Sequence, residues 1–131
     1  MLIKENLIDV FSREVEKIKC EDLTRAYIVS ILGKYKTSET DFSKYSLTTL
    51  YQKASEDGNF IVFQNIGDWI FFCHSLFPEF VKYYSDYSVE LARLSYDRCY
   101  RLINRQLKVY QNMSDDFKYL TSTTRKIIHN I

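Results

Sequence analysis

A chain of 131 residues, 46% hydrophobic and 27% charged, has the size and make-up of one folded domain spanning 1–131. A formal net charge of +1 excludes a general electrostatic pull toward nucleic acid or an anionic membrane. Three glycines and one proline are too few to punctuate an all-β chain of this length, so the composition points to long helices.

The chain is tyrosine-rich. Eleven Tyr, nine Phe and one Trp supply broad apolar rings, and the phenols add a polar tip that suits helix seams and interfaces. Met1-Leu2-Ile3-Lys4-Glu5 lacks the basic-then-apolar layout of a secretory signal. Cys20, Cys73 and Cys99 are odd in number and widely spaced, which reads as free thiols in a reducing compartment. The expected location is the cytoplasm.

Ile3, Leu7, Ile8, Phe11, Val15 and Ile18 recur at three- and four-residue spacing and predict a first amphipathic helix. A second begins near Asp22 with Leu23, Tyr27, Ile28, Ile31 and Leu32 on its apolar side, and Gly33 near its end, either capping it or inside its last turn. Lys36 to Ser46 is polar and aperiodic and is expected to be the one long, mobile loop. A third helix runs from about Leu47 to Asp57, and Gly58-Asn59 supplies a left-handed stop.

The fourth helix, about 60–77, is apolar nearly all round, which marks a buried central helix. Its polar interruptions, Gln64, Asn65, Asp68 and His74, make it unfit to span a bilayer. Pro78 ends it. Asp86 is expected to cap a fifth helix reaching about Asn112, with a core stripe of Leu91, Leu94, Leu102 and Val109 and small fillers at Ser95 and Cys99. Ser114-Asp115-Asp116 opens a sixth, with Phe117, Leu120, Ile127 and Ile128 on its apolar side. The predicted fold is all-α: a single-domain bundle of about six helices around the fourth.

The middle of the chain, about 23–100, resembles a family of uncharacterised, all-helical bacterial proteins. Gly67-Asp68, Phe71-Phe72 and Ser75-Leu76-Phe77-Pro78-Glu79 follow that family's first pattern, and Asp86-Tyr87-Ser88, Ala92 and Ser95-Tyr96 follow its second. Tyr27-Ile28-Val29 matches more loosely. Ile66, Ser75, Ala92 and Ser88 depart from the pattern by small or conservative changes. The resemblance implies a helical fold and carries no established activity.

Three sets of residues are candidates for function. Asp68, with Gly67 before it, sits in the most apolar helix, where an unpaired carboxylate would cost several kcal/mol. It is expected either to pair with an arginine such as Arg98, or with amides at a helix start, or to serve with His74 as a general acid or base. Gly67 is expected to admit a neighbouring backbone. Cys73 and His74 point about 100° apart and cannot form a thiolate–imidazole dyad with each other, and His129 is the other histidine. No metal site and no cofactor is expected.

Arg98, Arg101, Arg105 and Lys108 fall on one face of the predicted fifth helix, flanked by Tyr100 and Tyr110, and could touch phosphates or an acidic partner. Tyr83, Tyr84, Tyr87, Tyr96 and Tyr100 are candidate interface aromatics. There is no Gly-rich phosphate loop, no catalytic triad order and no helix-turn-helix signal. The leading expectation is a non-catalytic interaction or regulatory module that associates with itself as a homodimer or with another protein. The alternatives are nucleic-acid binding through the basic face, and a small enzyme centred on Asp68 and His74.

Overall fold

Ser46 caps helix α3 (Leu47–Asp57), its hydroxyl accepting from the Thr49 amide, and Gly58 ends it at φ +64°. Asn59 then opens helix α4 (Phe60–Leu76) by accepting from the Val62 amide. One short turn therefore closes one helix and starts the next. The geometry comes from a computed structural model that describes residues 7–37 and 46–130, with side chains for 8–35, 46–77 and 86–130.

The remaining elements are α1 (Leu7–Glu14), continued by a short 3-10 turn, then α2 (Asp22–Thr37), α5 (Pro78–Leu102), α6 (Lys108–Asp115) and α7 (Phe117–His129). The described residues are all helix and connection, and they form a single-domain bundle. Helix α4 is central, packing against α2, α3, α5 and α7. Its shielding is complete from Ile70 to Leu76, whereas Trp69 is half-buried and Ile61 in the first turn is 58% exposed. Each fully buried Ile or Phe here contributes about 1.5–3 kcal/mol, so this helix alone accounts for much of the core.

The chain has seven α-helices among the described residues, one more than expected, because the predicted fifth helix is two. It begins earlier than Asp86: Pro78 both stops α4 and occupies the first turn of α5, where its missing N–H costs nothing. It also ends earlier than Asn112. After Leu102 the chain turns through Asn104 and Arg105, at φ 56° and 58°, before α6 starts.

The expected leucine stripe is corrected as well. Leu91 and Val109 are buried, but Leu94 and Leu102 are each 42% exposed. The face of α5 turned toward α4 carries Ser88, Ala92, Ser95, Tyr96 and Cys99, all buried. Small residues let the two helices approach closely, and Leu94 and Leu102 are turned outward. Leu23, expected in the core, is also exposed. Ser114 does not cap α7: its hydroxyl donates to the Arg93 carbonyl at 2.8 Å, while Arg93 Nε donates to the Ser114 carbonyl at 2.9 Å, clamping α5 to α6. The predicted loop starts later than Lys36, since α2 runs to Thr37; its residues 38–45, like Ile3 in the first helix, lie outside the described residues.

Candidate functional site: a buried carboxylate between α2, α4 and α5

Residues seven apart on a helix share a face, and Tyr27 and Lys34 of α2 both reach Asp68 of α4. Asp68 is 3% exposed. Its Oδ1 accepts from the Tyr27 hydroxyl at 2.6 Å and from the Tyr96 hydroxyl of α5 at 2.8 Å. Its Oδ2 lies 3.3 Å from the Lys34 ammonium, which also donates to Asn65 Oδ1 at 2.6 Å. Asn65 precedes Asp68 by three residues on the same face of α4. Lys34 is half-exposed and closes the solvent side of the cluster.

Gly67 explains how Tyr96 gets there. A β-carbon at Gly67 would stand 2.8 Å from two atoms of the Tyr96 ring. What glycine admits is an aromatic ring lying against the helix, not the neighbouring backbone that was expected. The ring is wholly buried, and its hydroxyl ends on the carboxylate of the very next residue. Around this centre Tyr27 meets Tyr96 and Tyr110 edge-on at 6.3 and 5.6 Å, and Gln64 donates to the Tyr110 hydroxyl at 2.8 Å.

Burial raises the Asp68 carboxyl above the usual carboxylate range, against the hydrogen bond from Tyr27, the charge of Lys34 and the hydrogen bond from Tyr96. Burial, and then the neighbouring carboxylate, push the Tyr27 and Tyr96 phenols upward. Both therefore stay protonated and act as donors. Chemically, the arrangement holds a carboxylate by its neighbours, with both oxygens engaged.

His74, six residues further along α4, has a different set of neighbours. Its Nε2 is 2.7 Å from the Ser88 hydroxyl of α5, and its backbone carbonyl accepts from Arg125 Nη1 of α7 at 2.8 Å. Burial, helped by the charge of Arg125, lowers its pKa to about 4, so the ring is neutral near pH 7. Among the described residues no three His, Cys, Asp or Glu side chains are grouped to hold a metal ion. Cys20 is half-buried, Cys73 and Cys99 are buried, and none of the three forms a disulfide.

No protein-family model, curated protein or solved structure matches the chain.

The other predicted residues fall as follows. Arg98, expected beside Asp68, is exposed on the outer face of α5. The basic stripe is not one helical face: Arg98 and Arg101 lie on α5, Arg105 sits in the turn after it, and Lys108 starts α6. Arg101 pairs with Asp97 at 2.9 Å and Lys108 with Glu21 at 3.4 Å. Tyr96 belongs to the core, which corrects its expected place at an interface, and Tyr100 packs half-buried against that core. Tyr87 is 61% exposed, with its hydroxyl on that of Thr48. The side chains of Tyr83 and Tyr84 lie outside the described residues. Sequence reasoning did not name Lys34, took Asn65 only as a polar interruption of the fourth helix, and took Tyr27 for a plain core residue. The available signal was a phenol and an ammonium two turns apart on α2.

Proposed function

We propose that this protein works by contact with other protein surfaces, itself included, rather than by catalysis. The observation that carries this reading is how the ionisable groups of the core are held. Asp68 has both oxygens engaged by Tyr27, Tyr96 and Lys34, while the neutral His74 ring is bonded to Ser88. A general acid or base needs a face open to its substrate. On the outside, Tyr87, Leu94 and Leu102 of α5 are each more than two-fifths exposed, and rings and leucines of that kind favour protein contacts.

The split of the basic residues between two helices and a turn, with Arg101 and Lys108 already paired to carboxylates, weakens the nucleic-acid reading. A cytoplasmic location belongs to this proposal and fits three cysteines that form no disulfide; among the described residues no helix is long and apolar enough to cross a membrane. The test is sedimentation velocity of the purified chain across a concentration series. A shift from monomer to dimer with rising concentration supports self-association, and a monomer at every concentration removes that part of the reading.

A further inference from the structure

The outer face of α5 has a charge and apolar pattern that is antisymmetric about one residue. Leu94, 42% exposed, is flanked four residues before by exposed Glu90 and four residues after by exposed Arg98. Seven residues before it is Tyr87, 61% exposed, and seven after it is exposed Arg101. Spacings of four and seven keep all five on one helical face. Among the described residues neither Glu90 nor Arg98 has an ion-pair partner, and Leu102 continues the apolar edge toward the end of the helix.

We infer that this face is the seam of a homodimer in which α5 pairs antiparallel with α5 of a second copy, about a two-fold axis at Leu94. A two-fold contact is self-complementary: whatever one copy offers before the axis meets what the other offers after it. Leu94 then packs on Leu94 of the partner, each Glu90 faces an Arg98, and each Arg101 lies over a Tyr87 ring, where a guanidinium is attracted to the aromatic face. A parallel pairing would set Glu90 against Glu90 and Arg98 against Arg98. The charges thus select both the partner, a copy of this chain, and its direction. One helix per copy makes a small interface, so the dimer is weak and dissociates on dilution.

This inference rests on the self-association proposed above, and charge reversal separates the two. All the residues changed are exposed, and circular dichroism verifies that each variant is folded. In sedimentation velocity or native mass spectrometry, Glu90→Arg alone and Arg98→Glu alone are each expected to weaken the dimer at least tenfold. Combining both changes in one chain restores it. Mixing the two single variants restores it as a heterodimer, because every facing pair is then opposite in charge. A wild-type dimer that neither single reversal weakens overturns this seam but leaves self-association standing. Single variants that become monomers and are not rescued by mixing overturn the antiparallel register. A wild-type chain that never dimerises overturns both ideas.

Discussion

The α-carbon of Gly67 lies against the ring of Tyr96 so closely that a methyl group there would stand 2.8 Å from the ring's Cε1 and Cζ. Tyr96 is fully buried, so the ring has no open space to move into. Gly67→Ala gains about 1 kcal/mol of helix propensity, yet forces apart α4 and α5 and pulls the Tyr96 hydroxyl from Asp68. Overpacking typically costs about 1–3 kcal/mol and the displaced hydrogen bond adds to that, giving a net loss of about 2 kcal/mol. Urea unfolding measures it. In a Tyr96→Leu background the same change costs less, and a full, unchanged cost there would disprove the ring contact as its origin.

Asp68→Ala and Asp68→Asn separate the charge from the hydrogen bonds. Alanine leaves the Tyr27 and Tyr96 hydroxyls without their acceptor, at an expected cost of about 3 kcal/mol. Asparagine keeps a carbonyl for both phenols and removes a buried charge. Lys34 retains Asn65, so this variant is expected within about 1 kcal/mol of wild type. The sign of the pH dependence follows from the raised carboxyl. The folded chain holds this proton more tightly than the unfolded one, so the carboxyl costs stability as pH rises from its unfolded value through its folded one. Urea titrations at several pH values should therefore show Asp68→Asn gaining on wild type as pH increases.

Helix α3 and the start of α4 were legible because their ends are written locally: Ser46 and Asn59 cap, and Gly58 takes the left-handed turn. The break between α5 and α6 was not, since no glycine or proline lies between Leu91 and Met113 and the positive φ values fall on Asn104 and Arg105. The core face of α5 was misread for a different reason. Hydrophobicity favours leucine, but the close approach to α4 leaves room there for Ala92, Ser95 and Cys99 and for one ring over Gly67. Two partners of Asp68 lie 41 and 34 residues away on α2 and a third 28 residues away on α5, and no periodicity within a helix encodes such a pairing.

His74 makes the fold acid-sensitive. Its pKa is about 4 when buried against Ser88 and Arg125, below the 6.5 of an exposed imidazole. The unfolded chain therefore binds a proton between those values that the folded chain refuses. Stability is complete above about pH 6.5 and falls as pH drops toward 4, by on the order of 2 kcal/mol. His74→Gln keeps a polar partner for Ser88 without a titrating ring. It should flatten this part of the profile in urea titrations between pH 4 and 7, and an unchanged slope would place the sensitivity elsewhere.

Arg105 holds φ at 58° in the turn that separates α5 from α6, with its amide on the Tyr100 carbonyl at 2.8 Å. A left-handed conformation costs a side-chain-bearing residue about 1–2 kcal/mol, less so for asparagine, which occupies the preceding position. Glycine removes that strain but gives the unfolded chain more freedom, so Arg105→Gly is expected to stabilise by about 0.5–1 kcal/mol. A β-branched side chain tolerates this conformation worst, and Arg105→Val should destabilise by about 1 kcal/mol. Opposite shifts in the urea midpoint would show that the turn, and not helix propensity, divides the two helices. If valine instead raised stability, a continuous helix through 103–107 would be the better description of the native chain.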